Sequence, residues 1–249
     1  TSWSRLCSPQ EEILDYLRAV ADEHGISPLV RTGRTVQECA FDEGRGRWAV
    51  TTTGGETYDA GAVVLATGQL NRPVPPDIPG AAQFAGDQFH SARWRHDVPL
   101  DGRDVAVIGT GASAVQFVPE VAARARTVTV YQRTGNWMMP RHNRVYRPWM
   151  QRVLRTVPGL QALRRGWLFL YTESLTQAIR HPRTLGRVVG WQSALFMRRQ
   201  LRGDPELAAK IWPDYTFGCK RVLFSSHWIP TLRQPYVELV TDRVERIEG

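Results

Sequence analysis

Cysteine is scarce in this 249-residue sequence. Cys7, Cys39 and Cys219 are too few and too far apart for a disulfide framework or a zinc site, so a reducing cytoplasm is the expected compartment. Lysine is scarcer still. Lys210 and Lys220 stand alone, and the net charge of +8 is carried by arginine. These arginines are spread among apolar and acidic residues, with no basic tail and no RNA- or DNA-binding signature, which argues against a nucleic-acid partner. Long apolar runs are missing as well. The most apolar stretch, residues 167–171, falls far short of the roughly 20 residues a membrane helix needs, so no transmembrane segment is expected. The N-terminus has no signal-peptide pattern. His142 and His227 have no partner pattern pointing to a metal. A starting methionine is absent too: Thr1-Ser2-Trp3 opens almost directly into helical sequence, and residues 237–247 read as a strand that breaks off at the end of the chain. A piece of a longer protein is the expectation.

What is present suits a globular α/β chain, with 42% hydrophobic residues available for a core. Ser8-Pro9-Gln10-Glu11 offers a serine cap, a proline at the first helical position and a glutamate at the third, which predicts a capping box. Ile13, Leu14, Leu17 and Val20 then recur at helical spacing up to Gly25, a C-terminal cap. Residues 34–40, 48–53 and 56–58 alternate as a small antiparallel meander with a Gly54-Gly55 turn, feeding an apolar run at 62–66 that predicts a buried strand. Ala66-Thr67-Gly68 allows a sharp turn or a close approach. Pro73, Pro75, Pro76 and Pro79 hold residues 71–80 extended as a linker, and a domain boundary is expected near residue 100. Residues 147–210, rich in Leu, Arg, Trp and Ala and cut by Pro148, Pro158 and Pro182, predict a helical insertion. Its amphipathic pattern reads as a core-facing stripe with a solvated face, a membrane surface being the alternative. From Pro213 onward the chain returns to loop and strand.

Residues 104–108 form a short apolar strand running into Gly109-Thr110-Gly111-Ala112-Ser113-Ala114, a GxGxxA loop. Gly109 permits the tight turn, Gly111 lets backbone amides approach a pyrophosphate, and Ala114 lets the next helix pack on the strand. That helix, with Gln116, Val115, Val118 and Val121, turns its N-terminal dipole and free N–H groups toward the phosphates. A second strand follows at 127–131. At its end an NAD-binding chain places Asp or Glu on the ribose hydroxyls. Here Gln132-Arg133-Thr134 stands instead, and a guanidinium with a hydroxyl attracts a 2'-phosphate, so NADPH is expected in preference to NADH.

Just upstream lies Phe84-x-Gly86-xxx-His90-xxx-Trp94, four fixed residues in order before a GxGxxA loop. The segment resembles the fingerprint of type I Baeyer-Villiger monooxygenases, whose sister enzymes oxidising nitrogen or sulfur usually carry Tyr or Phe in place of the final Trp. Arg95 departs from the Pro or Asp that commonly follows. Leu65-Ala-Thr-Gly68 is similar to the first of the family's domain-joining ATG hinges, Gln132-Arg-Thr-Gly-Asn-Trp137 to its NADP 2'-phosphate segment with Gly135 where proline is usual, and Gly218-Cys-Lys-Arg221 to the segment with its NADP-contacting lysine and catalytic arginine.

The resemblance implies an α/β fold that is part of a flavoprotein with two dinucleotide-binding domains. Residues 1–100 would be a partial FAD-binding domain, containing the β-meander, and linker; 101–146 the first part of a Rossmann-like NADP domain; 147–212 a helical insertion; and 213–249 the return segment. It implies a monooxygenase that uses NADPH and FAD to insert one oxygen atom from O2 next to a ketone carbonyl through a peroxyflavin, giving an ester or lactone. Arg221 would be the catalytic cation, since a guanidinium stays charged and can hold both an anionic oxygen and the nicotinamide amide. Lys220, Thr67, Gly68 and Trp94 would contact cofactor, and His90 would couple linker to domain or touch cofactor rather than transfer a proton. The family's FAD loop, second ATG hinge and C-terminal part have no counterpart in these residues. An N- or S-oxidising flavin monooxygenase, or an NADP-binding fragment without activity, therefore stay open. A simple NADP dehydrogenase would need a hydride-accepting site independent of a flavin, and no such pattern is present.

Overall fold

The computed structural model describes residues 3–68 and 70–248, so the opening Thr1-Ser2 pair lies outside them. The chain separates into two compact units, Thr1–Arg72 and Pro73–Gly249. The division falls in the proline-rich stretch, upstream of residue 100, because the segment between is fastened to the second unit. Trp94 and Leu100 pack on that unit's core, and the Gly102 N–H donates to Arg124 O at 3.0 Å.

In the first unit, helix α1 (Gln10–Glu23) closes on Gly25, whose φ is +63°. Gly25 N–H donates to Asp22 O and Ile26 N–H to Ala21 O at 2.7 Å, the paired bonds that satisfy a helix's last carbonyls. Its start departs from the expected capping box. The Ser8 hydroxyl donates to Arg5 O, and Pro9 occupies the cap position with no side-chain hydrogen bond. The carboxylate recruited is Glu12, which accepts from the N–H and hydroxyl of Ser4, both at 2.7 Å. These bonds hold the Glu12 carboxyl below its usual range. Strands β1 (Val36–Asp42), β2 (Arg47–Thr52) and β3 (Thr57–Ala60) form the antiparallel meander in the order β1-β2-β3. Arg47 of β2 donates to Asp59 of β3 at 2.6 Å. Residues 62–66, expected as a buried strand, form none, and Val64 and Leu65 are 86% and 77% exposed. A strand needs a neighbour for its backbone N–H and C=O groups, and no described strand lies beside this run.

The second unit is built on a parallel sheet. Strand β4 (Asp104–Ile108) leads through the glycine loop into α2 (Ala112–Ala122) and on to β5 (Thr127–Tyr131). There follow β6 (Met138–Met139), α3 (Pro148–Thr156), α4 (Leu160–Arg180), α5 (Leu185–Gln200), α6 (Pro205–Ile211), β7 (Leu223–Phe224), α7 (Trp228–Leu232) and β8 (Val237–Val240). The sheet order is β4-β5-β8, all parallel, and β6 pairs with β7 in a second, two-stranded parallel sheet. The strand expected over 237–247 stops at Val240. Beyond it the chain leaves the sheet, and the Ile247 N–H donates to Pro79 O at 2.8 Å.

Apolar residues on one face of β5 and along α2 make the core: Val118, Val128 and Val130 are fully buried, with Ile229 of α7 in the same cluster. Two ion pairs pin the amino ends of the sheet. Arg124 donates to Asp101, and Arg126 to Asp104, whose carboxyl is held down at about 2 by Arg126 and Thr127. The core-facing stripe expected of residues 147–210 is confined to α5 and α6. Helix α3 has no buried residue, and α4 has one, Ala178. The chain of α5 threads close to its neighbours through Gly186 and Gly190.

Gly135 is the tightest backbone crossing near β5. A Cβ placed there would sit 2.3 Å from Ile211 O and 2.8 Å from Ile211 C, both backbone atoms. The Gly135→Ala variant is expected to lose about 1–3 kcal/mol of stability, read as a lower denaturation midpoint with unchanged m-value. An unchanged midpoint would mean that α6 does not pack there.

Candidate functional site

The carboxyl ends of parallel strands are where open α/β sheets bind ligands; two elements stand at that edge here, and a third is joined to the chain that follows β5. The first is the glycine loop. Gly109 has φ of +108°, in the region that only glycine adopts readily, and its N–H donates to Tyr131 O at 2.9 Å. A Cβ on Gly109 or Gly111 would meet nothing within 4 Å, so the loop is bordered by open space into which a ligand can come close to the backbone. Gly111 is the N-cap of α2. The amides of Ala112, Ser113 and Ala114 open that helix, whose first turn has N–H groups free of intrahelical partners. Ala112 and Ser113 are exposed, while Ala114 is buried against the sheet and Thr110 is buried in the loop.

The second element is the end of β5. Gln132 is buried: its N–H donates to Val240 O at 2.8 Å and its side-chain amide to Lys210 O at 2.7 Å, while Lys210 Nζ donates to Leu239 O at 3.1 Å. These bonds tie together the ends of β5, β8 and α6. They leave Arg133 pointing out of the knot, exposed and without a hydrogen-bond or ion-pair partner among the described residues. Thr134 beside it is half-buried.

Asn136 comes next, and sequence reasoning assigned it no role. Its amide donates to Thr110 O at 2.9 Å and to Thr110 Oγ1 at 3.3 Å, bracing the glycine loop from the chain that follows β5. Arg141 also went unnoticed: its guanidinium donates to Gln116 Oε1 at 3.4 Å while Gln116 donates to Ala112 O at 2.9 Å, so it backs the first turn of α2. Both contacts span about 25 residues of chain and leave no periodic signal. An asparagine in a loop directly after β5 was the only hint.

The third element holds Lys220 and Arg221. Register in the β6–β7 pair sets Met138 against Leu223, with the Leu223 N–H donating to Trp137 O at 2.9 Å. Asn136 stands two residues before β6 and Arg221 two residues before β7, so each lies in the segment leading into one strand of this short sheet. Lys220 Nζ lies 4.5 Å from the centre of the Tyr215 ring. Tyr215 O accepts from Trp137 Nε1 at 2.9 Å. The Tyr215 hydroxyl is buried without a hydrogen-bond partner among the described residues, and burial pushes its pKa up. Arg221 is exposed and, like Arg133, has no partner among the described residues.

The Phe84–Trp94 segment resolves into packing. A Cβ at Gly86 would sit 2.5 Å from the Phe84 ring, so the ring lies where only glycine leaves room. His90 Nδ1 accepts from Ala92 N at 3.0 Å and so caps the 3-10 turn Ser91–Arg93. Trp94 packs edge-on to Phe89 and to Phe117 of α2, with ring centres 5.2 and 5.3 Å away. Arg95 bridges Asp87 and Asp97, and Arg103 also reaches Asp87. The segment thus clamps the chain onto α2, the helix that the glycine loop opens. Thr67 and Gly68 belong to the first unit, where both are exposed and Gly68 has φ of +72°. No cluster of three metal-ligating side chains occurs among the described residues.

A parallel sheet, an open glycine loop at a helix N-terminus and an unneutralised arginine at the end of the second strand define a dinucleotide-binding oxidoreductase unit. The chain belongs to the pyridine nucleotide-disulphide oxidoreductase family, whose profile matches residues 4–182. Within it the chain is similar to type I Baeyer-Villiger monooxygenases. It is 43% identical over 248 residues to the Baeyer-Villiger monooxygenase of Streptomyces coelicolor, covering 99% of this chain and 47% of that protein. A Baeyer-Villiger monooxygenase of Pseudomonas aeruginosa is 34% identical, with 98% and 46% covered. Among solved structures, an oxidised steroid monooxygenase bound to NADP superposes with a TM-score of 0.81 at 27% identity, over 96% of this chain and 52% of that one. The chain therefore spans about half the length of the relatives it matches, and the α/β class with a partial two-domain architecture agrees with the sequence expectation.

Removing the brace separates loop positioning from direct contact. Asn136→Ala should weaken binding of a dinucleotide at this loop by about tenfold, the equivalent of one lost hydrogen bond, with little change in thermal stability. Isothermal titration of both proteins reads this, and equal affinities would show that the loop holds its shape unaided.

Proposed function

We propose that this chain forms the NADPH-binding portion, and part of the FAD-binding portion, of a cytoplasmic flavin-dependent monooxygenase that inserts one atom of O2 next to a ketone carbonyl. One observation carries the nucleotide choice: Arg133 stands unneutralised at the end of β5 beside an open glycine loop. A 2'-phosphate brings charge and acceptor oxygens to that guanidinium, and a ribose hydroxyl does not. The tryptophan at position 94 supports ketone rather than nitrogen or sulfur oxidation, on the resemblance. The solved relatives whose titles describe complexes with FAD and NADP support the pair of cofactors.

The residues present fit NADPH. The amides opening α2 would hold the pyrophosphate, Arg133 and Thr134 the 2'-phosphate, and Lys220 would add positive charge on the nicotinamide side. Arg221 would offer a fixed cation for an anionic oxygen and for the nicotinamide amide, a role suited to a group charged at every accessible pH. His90 has Nδ1 committed as the acceptor that caps the Ser91–Arg93 turn, so we assign it to positioning of that turn. For FAD the fit is incomplete. The described residues of the first unit contain a helix and an antiparallel meander but no strand, glycine loop and helix in succession, and no step is derived through the flavin. Bound in the whole protein, FAD would supply oxygen activation after reduction by NADPH. In the same reading residues 1–100 serve the FAD domain and linker, 101–146 and 213–249 the NADP domain, and 147–212 the insertion. Binding of NADP without oxygen transfer is the second reading, favoured by that incomplete fit.

Arg133→Ala should raise the Kd for NADPH by about 10–100-fold, the loss of charge-assisted hydrogen bonds, and leave NADH binding nearly unchanged. Equal losses for both nucleotides would sink the 2'-phosphate assignment. On a panel of ketones, the full-length protein should consume NADPH and O2 while forming ester or lactone. Products limited to sulfoxides or N-oxides would move it to the sister reaction, and the absence of any oxygenated product would favour the second reading.

A further inference from the structure

Arginines occur throughout the sequence, but their excess over acidic residues falls in one stretch. Residues 141–202 contain thirteen arginines and one acidic residue, Glu173, whereas the whole chain has a net charge of +8. The rest of the molecule is therefore acidic on balance. Pairing follows the same division. Outside this stretch most arginines on the strands and loops are matched to carboxylates, as at Arg47, Arg95, Arg124 and Arg126. Within it none of the thirteen forms an ion pair with a described residue.

The same helices expose large apolar side chains at helical spacing. On α3, Trp149 and Val153 share a face and are 59% and 38% exposed. On α4, Leu163, Trp167 and Leu170 stand at i, i+4 and i+7, with exposures of 72%, 61% and 67%. On α5, Val188 and Trp191 are 56% and 62% exposed. Helix α4 packs against both α3 and α5, so the three stripes belong to consecutive, mutually packed elements. No helix among the described residues is long and apolar enough to cross a membrane.

We propose that the α3–α5 surface docks on an anionic lipid membrane, with the tryptophans and aliphatic side chains entering the headgroup region and the unpaired arginines meeting lipid phosphates. Exposed tryptophan and leucine side chains set among cationic residues are the composition of surfaces that lie in a membrane interface, and each arginine near an anionic leaflet adds attraction that salt screens. A nucleic acid would satisfy the arginines but not the aliphatic residues, which neither stack on bases nor reach phosphates as donors. A second copy of this face would set one strongly cationic surface against another. The inference is independent of the NADPH assignment, because the exposed apolar side chains and the arginines of α3–α5 lie outside the nucleotide site, Arg141 alone of the thirteen backing it through Gln116.

Co-sedimentation of the full-length protein with vesicles tests it. Binding is expected to mixed phosphatidylglycerol and phosphatidylcholine vesicles but not to pure phosphatidylcholine, with a blue shift of tryptophan emission and release at high salt. The W149S/W167S/W191S variant should lose about tenfold or more in partitioning, and R152Q/R155Q/R165Q/R187Q should lose the preference for anionic lipid, while both retain NADPH binding as evidence of folding. No binding to anionic vesicles at low salt would overturn the proposal, as happens if another domain covers these helices. So would binding that persists unchanged in both variants, or equal binding to duplex DNA with no loss in the tryptophan variant.

Discussion

At the carboxyl end of β5 a buried glutamine ties three elements together, and the chemistry of the site depends on it. Gln132 uses its backbone to hold β8 and its side chain to hold the end of α6. A buried amide left unpaired costs about 1–3 kcal/mol, so the residue is fixed once those partners are in place. The next side chain must then leave the core, and it is Arg133. An arginine elsewhere on this sheet finds a carboxylate, as Arg124 and Arg126 do. Here none is within reach among the described residues, and the charge stays available to a ligand.

The glycine loop was legible because its demands are local. A positive φ at Gly109, open space over Gly111 and a small buried residue at Ala114 are each set by the loop's own geometry, so residue type alone reports them. The braces were not legible. Asn136 on Thr110, Arg141 on Gln116 and Ile211 against Gly135 join parts of the chain that only the folded sheet brings together. The Phe84–Trp94 pattern lies between these cases. Its residues could be recognised, but its physical content, a ring over Gly86, a histidine cap and a tryptophan on α2, came from the structure.

Two misreadings share a cause. The apolar run at 62–66 reads as a buried strand and the helical insertion as a core-facing stripe, yet the run and helices α3 and α4 leave apolar side chains exposed. Hydrophobic pattern tells which side chains favour leaving water, not whether a covering partner is at hand. The capping box fails for a simpler reason: Ser8 turns to Arg5 O and Pro9 takes the cap position with no side-chain hydrogen bond. In the insertion, exposed apolar residues coincide with arginines that have no carboxylate, which gives that surface a chemistry of its own.

The central claim is that the unpaired guanidinium at the end of β5 reads the 2'-phosphate of NADPH. A crystal structure of the protein with NADP+ tests it most directly. The account predicts the pyrophosphate at the amides that open α2 and the 2'-phosphate against Arg133 and Thr134, with Asn136 still bonded to Thr110. A dinucleotide bound with its 2'-phosphate facing solvent, away from Arg133, would contradict it.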